Sequence, residues 1–382
     1  MMTILIFVVL LGLLVFVHEL GHFLVARRNG IRVDEFGFGF PPRLVGFVQD
    51  EATGKYRIVW GNQEVPSSRT VYSLNWIPLG GFVKIAGEDG HDTSDPTSFG
   101  GKSAWVRIKV LAAGVFMNFL FAWFLISIVF MLGLPQPIDP SEHGKYENAK
   151  IQILSIVKGT PAETMGLRMG DAILSINGVK ITTLEQVSQE ISGHKGQEIV
   201  IGVDRFGEKF SLLGTPRKEY PANEGSLGIS FSETAVVSYP WYEAIYEGGL
   251  ATYNITVAIF GAFGNMIASL WSTEKIALDV TGPVGIVYLT KQMSDLGLPY
   301  LLQFAALLSI NLGIINILPI PALDGGRILF ILIEKLKGSP VSHRVEGMIH
   351  QIGFILLLLL MLFVTIRDFS QFQILDKISR IF

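Results

Sequence analysis

The sequence contains no cysteine among its 382 residues. This absence excludes disulfide bonds and thiolate metal sites, so any metal ion would have to be held by histidine, aspartate or glutamate. Charge is scarce as well, because 16% of the residues are charged and 49% are hydrophobic. Soluble domains usually contain about 25% charged residues. The composition therefore predicts several membrane-spanning helices together with at least one soluble module.

The sequence also lacks an excess of positive charge and the features of a cleavable signal peptide. The net charge of −3 gives no basis for expecting a nucleic-acid partner. The N-terminal stretch also lacks the basic start and the small residues at a cleavage site that are typical of a secretory signal peptide. We therefore expect this stretch to be retained as a membrane helix.

Residues 2–26 form a long apolar run that is interrupted by His18-Glu19-Leu20-Gly21-His22. As a helix the run would be about 37 Å long, enough to cross a hydrocarbon core of ~30 Å. Ionisable side chains within a membrane helix are costly and usually mark a functional site. The five-residue motif is therefore the first candidate site.

The spacing of the two histidines suits a zinc ion. His18 and His22 are four residues apart and share a helix face, so each can offer a ring nitrogen to one tetrahedral ion. Glu19 lies about 100° around the helix, where it can act as the base that activates an attacking water. The alternative is that these side chains merely face a helix bundle. We favour the zinc site.

Three more apolar segments predict spanning helices, at residues 104–134, at 300–333, a range that also includes the Leu-Asp-Gly-Gly motif, and at 347–368. Basic residues adjoin the segments and, by the positive-inside rule, place those ends in the cytoplasm: Arg27, Arg28, Arg32, Lys102, Arg107, Lys109, Lys335, Lys337 and Arg344. Residues 241–271 are apolar but carry several polar side chains. A second crossing there would put Arg327 outside, so we predict that residues 217–299 are an extracytoplasmic connector with an interfacial helix.

Residues 27–103 predict β loops on the cytoplasmic side, with short strands at 55–60, 69–75 and 81–86 and turns at 37–42 and 78–81. Their wealth of Phe, Trp, Val and Ile favours association with the membrane, although a small soluble hairpin domain fits the pattern equally well. Residues 150–216 are more polar and alternate strands, turns and a helix. Residues 159–187 resemble a PDZ domain, which implies binding of a peptide or a new chain terminus at a sheet edge. A purely structural module is the alternative.

A zinc site needs a third protein ligand. Asp324 stands at the cytoplasmic end of an inward-running helix, and His22 stands at the cytoplasmic end of the first one, so the two lie at similar depth. Glu35 and Glu51 lie in turn-rich sequence and fit less well. Asp324 could instead be an ordinary turn residue in Asp-Gly-Gly.

The chain resembles the bacterial site-2 proteases, the PDZ-bearing zinc metalloproteases of regulated intramembrane proteolysis. The resemblance rests on H-E-L-G-H, on N-x-x-P-x-P-x-L-D-G-G at residues 316–326, and on the PDZ-like stretch between them. It implies a Zn²⁺ cofactor with Asp324 as third ligand, and a substrate carbonyl held by Asn316 or Asn311. It also implies a β loop that aligns the substrate as an added strand, at Pro78, Leu79, Gly80, Gly81 and Phe82.

By this resemblance the chain is a polytopic α-helical membrane protein of the bacterial cytoplasmic membrane, with about four spanning helices, a β-rich membrane-associated loop and one extracytoplasmic PDZ-like α+β domain. Its substrate would be a single-span protein, such as an anti-sigma factor or a signal-peptide remnant, already trimmed outside the cytoplasm. One departure is Val115, where the family pattern G-P-x-x-N has proline; Asn118 is kept, although alone it predicts only a hydrogen bond to a neighbour.

Two other functional classes, a metal transporter and a PDZ-bearing scaffold, fit the sequence less well. A metal transporter would be expected to show an internal repeat, and we find none. A PDZ-bearing scaffold with a non-proteolytic zinc site would not need the intact Glu19.

The topology can be tested by cysteine labelling, since the chain has no cysteine of its own. Single cysteines at Ser175, in the PDZ-like module, and at Ser67, in the cytoplasmic loops, should differ in reaction with an impermeant reagent on intact cells. Only the first should be labelled. Equal labelling would contradict the assignment of the two sides.

Overall fold

The computed structural model describes residues 2–50, 53–63, 65, 69–88, 94–138, 149–205, 207–221, 224–269, 282–339 and 341–371. Three predicted features fall outside these ranges: Glu51, the labelling position Ser67, and residues 270 and 271 of the expected interfacial helix. Thr53, an exposed residue of the same predicted loop segment 27–103, lies within the described ranges and can take the label instead. The chain divides into two compact units, Met1–Val129 with Trp241–Phe382, and Phe130–Pro240.

The described helices are α1 (Met2–Arg28), α2 (Ala104–Leu132), α3 (Pro161–Thr164), α4 (Leu184–Gly193), α5 (Trp241–Ser269), α6 (Pro283–Leu296), α7 (Leu298–Ile317), α8 (Asp324–Lys337) and α9 (His343–Gln371). The strands are β1 (Val33–Gln49), β2 (Tyr56–Trp60), β3 (Val71–Ile85), β4 (Leu134–Pro137), β5 (Lys150–Ile156), β6 (Ala172–Ile176), β7 (Val179–Lys180), β8 (Ile199–Arg205), β9 (Glu208–Gly214) and β10 (Ile229–Val237).

Four of the described helices are long and apolar enough to cross a membrane, namely α1, α2, α7 and α9. They fit the predicted polytopic membrane protein with about four spans. Helix α5 is also long, but it is not among the described helices that are apolar enough to cross a membrane. Its interfacial position stays a prediction. The predicted segment 300–333 comprises two helices, α7 and the start of α8, with a short loop between them.

Small residues let the helices of the first unit approach one another closely. A Cβ built on Gly21 of α1 would collide with the backbone of Ala113 in α2. In α7, the Ser309 hydroxyl donates to the Asn118 carbonyl oxygen of α2 at 2.8 Å, and both residues are fully buried. Such close contacts replace the hydrophobic driving force that helices lack inside lipid.

The β loops of the first unit form one antiparallel sheet in the order β2-β1-β3. The register shows that β1 and β3 are each bent back on themselves, because Gly37 pairs with both Phe82 and Ser73, and Ser73 also pairs with Gly46. The bends fall near the turns predicted from sequence, so the expected short strands are halves of two long ones. The last half of β3, residues 81–85, pairs with β1 on one side only within this sheet.

The bend of β1 is held by an ion pair that involves Glu35, one of the candidates for the third zinc ligand. The guanidinium of Arg43 donates to both carboxylate oxygens of Glu35, at 2.9 and 2.6 Å. Burial opposes ionisation of Glu35, but these bonds and one from Ser73 hold its pKa below the usual value. Both carboxylate oxygens of Glu35, a weaker candidate for the third ligand, therefore serve the sheet.

The second unit is an α+β module on a sheet in the order β4-β10-β5-β6-β8-β9, with β7 beside β6. The predicted helix is present as α4, started by a reciprocal cap between Thr183 and Gln186, and strands β8 and β9 form an antiparallel hairpin. Strands β4 and β10 lie outside the boundaries expected from sequence. Because β10 lies between β4 and β5, the structural module is wider than residues 150–216.

Candidate active site

The structure brings together the two histidines of α1 and the first residue of α8. Nε2 of His18 lies 3.1 Å from Nε2 of His22 and 3.1 Å from Oδ2 of Asp324. The distance between His22 Nε2 and Asp324 Oδ2 is 3.4 Å. Both histidines are buried, with 6% of their surface exposed. Among the described residues this is a group that could hold a metal ion.

The spacing of these three atoms fits zinc. Ligand atoms about 2.05 Å from a tetrahedral ion are about 3.3 Å apart, which matches the three distances in the cluster. Oδ2 of Asp324 is buried without a hydrogen-bond donor among the described residues, as expected of an atom that ligates a cation. The donor set of two imidazoles and a carboxylate is also one that zinc commonly uses.

Asp324 reaches the histidines because two glycines follow it. A Cβ on Gly325 would collide with the carbonyl oxygens of Ile317 and Leu318, at the end of α7. A Cβ on Gly326 would collide with the carbonyl oxygen of Ile320. Only glycine lets the first turn of α8 fold this tightly against the chain that leaves α7.

The rings of the histidines are oriented by α2. Nδ1 of His22 donates to the carbonyl oxygen of Val110 at 2.8 Å, which leaves the lone pair of Nε2 facing Asp324. Nδ1 of His18 lies 3.1 Å from Nδ2 of Asn118, a fully buried side chain. The sequence predicted only a hydrogen bond for Asn118, and the structure places that contact on a histidine of the cluster.

Gly114 of α2 makes room for the two rings. A Cβ built there would collide with Nε2 of His22, and would lie 2.7 Å from Cε1 of His22 and 2.8 Å from Cε1 of His18. The sequence pattern includes Gly114 but does not reveal this contact, because it depends on how α1 and α2 cross.

Glu19 lies beside the strand segment that was expected to align substrate. A Cβ on Gly81 would be 3.2 Å from Cβ and Cγ of Glu19 and 2.8 Å from Cα of Phe16. Gly80 has a φ of +93° and lies equally close to Val15. The two glycines let β3 pass directly over α1, with Phe82 following, Pro78 preceding, and Leu79 in the strand backbone between them.

The two candidate asparagines of α7 behave differently. Nδ2 of Asn316 lies 3.4 Å from Nε2 of His18, at the edge of the cluster. Nδ2 of Asn311 donates to the Leu307 carbonyl oxygen at 2.9 Å, one turn earlier in its own helix. Five residues separate the asparagines, so they point about 140° apart. The structure therefore brings Asn316, and not Asn311, to the cluster.

His350 of α9 supports the loop that carries Asp324, which the sequence did not reveal. Its Nδ1 accepts a hydrogen bond of 2.7 Å from the backbone N–H of Ala322, a residue with a φ of +76°. Gly353, one turn later, packs against Pro321 so closely that a Cβ would not fit. An ionisable residue in an apolar helix was the available signal.

We expect Gly114→Ala to weaken zinc binding by about 10- to 100-fold, because the added methyl displaces the His22 ring from its position. Gly347→Ala in α9 is the control, since a Cβ there meets no atom within 4 Å. Zinc competition with a chromogenic chelator measures both. Equal affinities would show that the ring position tolerates the methyl group.

We expect His350→Ala to weaken zinc retention by about 10-fold, because the Ala322 N–H loses its acceptor and the left-handed turn before Asp324 relaxes. His350→Asn should retain most of the affinity, since the amide oxygen occupies about the position of Nδ1. Chelator competition again measures the effect. Identical losses in both variants would mean that packing, and not the hydrogen bond, holds the loop.

The similarity of the chain to known proteins agrees with this geometry. Residues 6–360 match Peptidase family M50. The chain is 30% identical to the regulator of sigma-W protease RasP of Bacillus subtilis, over 97% of this chain and 98% of that protein. It is also 30% identical to the zinc metalloprotease RasP of Geobacillus kaustophilus, over 96% and 97% of the two chains. The chain therefore belongs to Peptidase family M50, the site-2 protease family, and is a zinc metalloprotease.

Proposed function

We propose that the protein is an intramembrane endopeptidase that hydrolyses a peptide bond within or near the transmembrane helix of a single-span protein. The observation that carries this proposal is the convergence of His18, His22 and Asp324 beside Glu19, on a helix apolar enough to cross a membrane. A soluble substrate would not reach a site built into such a helix.

His18, His22 and Asp324 are the proposed zinc ligands. His22 already has the required tautomer, since its Nδ1 donates to Val110. For His18, the side-chain amide of Asn118 must present Oδ1 to Nδ1–H; rotation of the amide by 180° does this, and it also gives a partner to Oδ1, which otherwise has none among the described residues. Bound zinc supplies a Lewis acid that polarises the scissile carbonyl and acidifies an attacking water.

Glu19 is the proposed general base. Its carboxylate stands one residue from His18 and accepts the proton of the attacking water, then delivers it to the leaving amine. Asn316 is the proposed donor to the substrate carbonyl oxygen, because its Nδ2 lies next to a ligand atom. This donor stabilises the negative charge that develops on that oxygen.

The edge of β3 is the proposed place for the substrate backbone. A helix in lipid has its carbonyl groups hydrogen-bonded, so it must unwind before a peptide bond can be attacked. Residues 81–85 have one side unpaired in their sheet, and Gly81 lies against Glu19. An unwound substrate that adds to this edge gains new backbone partners where the base is located.

The substrate class follows from the site and from one relative. A relative from Bacillus subtilis is named as a regulator of sigma-W protease. We propose that this chain likewise cleaves a single-span protein, such as an anti-sigma factor or a signal-peptide remnant, in the bacterial cytoplasmic membrane. The basic residues that adjoin α1, α2 and α8 favour a cytoplasmic position for the zinc site.

We propose that the second unit is an extracytoplasmic PDZ domain that selects substrates. Its α+β sheet has strands β4 and β9 at its edges, and PDZ domains bind extended peptides or chain termini at a sheet edge. Its polar groups are used structurally: Asp171, fully buried, accepts two hydrogen bonds from Arg205 at 2.7 Å. We therefore propose a role in selecting chains for this unit, and assign hydrolysis to the first unit.

A set of variants distinguishes the proposed general base from the proposed zinc ligands. Glu19→Gln should keep zinc and lose activity by at least about 10²-fold, because an amide cannot accept the proton. His22→Ala and Asp324→Ala should lose zinc as well. His194→Ala, in the second unit, is the control and should change neither. Zinc content and cleavage of a reconstituted single-span peptide are measured together; normal zinc and activity in Asp324→Ala would remove it from the ligand set.

Removal of the second unit tests the selection role. Deletion of residues 152–213 would leave β10 without β5, so replacement of residues 134–237 by a flexible linker is the cleaner change. Cleavage of a short, pre-trimmed peptide should remain, because the metal cluster lies wholly in the first unit. Untrimmed substrates that the complete protein spares should now be cleaved. A variant that folds and holds zinc but no longer cleaves the short peptide would contradict selection as the role of this unit.

A further inference from the structure

Helix α8 carries an apolar stripe that no part of the described chain covers. Leu329, Leu332, Ile333 and Leu336 follow the spacing i, i+3, i+4 and i+7, so they lie within about 100° of one helix face. Their exposed fractions are 40%, 39%, 39% and 89%. An isolated exposed leucine is ordinary, but a continuous stripe of four indicates a surface that meets an apolar partner.

The opposite face of α8 is fixed to the protein. Ile331 is buried in the core cluster of the first unit, and Ile328 packs against that cluster. Glu334 accepts a hydrogen bond of 2.9 Å from Arg107 of α2, and Arg327 forms an ion pair with Glu88. The stripe therefore cannot turn inward without breaking these contacts.

The chain on either side holds α8 at a membrane boundary. The candidate span α7 ends at Ile317, and the next candidate span begins at Arg344. Between them α8 has 14 residues, which make a helix of about 21 Å, too short for a hydrocarbon core of ~30 Å. A helix confined between two spans and too short to cross is in a position to lie along the membrane surface.

The charges that flank the stripe favour lipid as its partner. Lys335 and Lys337 each lie one residue from Leu336, about 100° to either side of it. Nζ of Lys335 is 3.9 Å from the ring centroid of Trp105, which is 59% exposed. Lysines that flank an apolar stripe extend their ammonium groups to phosphates, and tryptophan favours the headgroup region.

We propose that α8 lies in the plane of the membrane, with the stripe of Leu329, Leu332, Ile333 and Leu336 inserted among acyl chains and with Lys335 and Lys337 bound to anionic headgroups. The partner is the bilayer itself. Because Asp324 is the first residue of α8, this contact also sets the depth at which Asp324 meets the histidines. That consequence rests on the proposed ligand role, whereas the lipid contact does not.

Spin labelling tests the contact directly, because the chain has no native cysteine. Nitroxides are attached at Leu336→Cys and Leu332→Cys in nanodiscs of phosphatidylcholine with phosphatidylglycerol. Leu359→Cys, on the exposed side of α9, is the lipid reference, and Lys209→Cys, exposed in the second unit, is the water reference. Zinc content confirms that each labelled protein is folded.

Oxygen concentrates in acyl chains and a neutral nickel chelate concentrates in water. The ratio of oxygen to nickel accessibility at Leu336 and Leu332 should therefore be several-fold above that at Lys209 and should approach that at Leu359. A ratio equal to that at Lys209 would overturn the proposal. Low accessibility to both reagents would indicate cover by protein, a partner or a second copy, and would overturn it as well.

A separate experiment tests the contact of Lys335 and Lys337 with anionic headgroups. In discs of phosphatidylcholine alone, the Leu336 label should be less deeply inserted than in discs with phosphatidylglycerol. Lys335→Gln combined with Lys337→Gln should abolish that difference and leave the stripe in contact with lipid. A depth that does not depend on the anionic lipid when both lysines are present would refute the headgroup contact.

Discussion

The first unit is organised around one carboxylate whose buried oxygen, Oδ2 of Asp324, is held against two imidazoles. A carboxylate taken out of water is strongly destabilised unless it is paired, and Oδ2 of Asp324 meets ring nitrogens of His18 and His22 at 3.1 and 3.4 Å. Because Nδ1 of His22 is the donor to Val110, Nε2 offers a lone pair and not a proton. With both rings neutral, a shared cation satisfies all three atoms, so the neighbouring structure must deliver them to one point and leave room for it.

The need for space around these three atoms explains several glycines close to the cluster. Gly114 leaves room beside the rings, and Gly325 and Gly326 let α8 begin against the end of α7. Gly81 lets a strand pass over Glu19. An unpaired strand edge is ordinarily a liability, because it invites other chains to pair with it. Beside the proposed general base, the same edge is the proposed place where an unwound substrate is held.

The metal motif and the spans could be predicted because each depends on local periodicity. Asp324 could be proposed because membrane depth restricts where a third ligand can lie. The supporting contacts could not, since Asn118 reaches His18 across 100 residues and His350 reaches Ala322 from another span. Such contacts depend on how helices cross, which a single sequence does not specify. The bends of β1 and β3, and the place of β10 in the second sheet, are non-local pairings of the same kind.

The order of the chain connects the two units physically. His18 and His22 precede the second unit in sequence and Asp324 follows it, so the metal cluster closes a loop of about 300 residues that contains a whole folded module. The entropy of closing a loop grows only slowly with its length, and a module that is already compact makes its ends easier to bring together than a disordered chain would. A folded module can therefore be inserted between the parts of the metal cluster at little cost to the cluster itself. The restriction falls instead on the inserted module, whose two ends must lie side by side, as β4 and β10 do by pairing with each other at Leu134–Val237 and Pro137–Thr234.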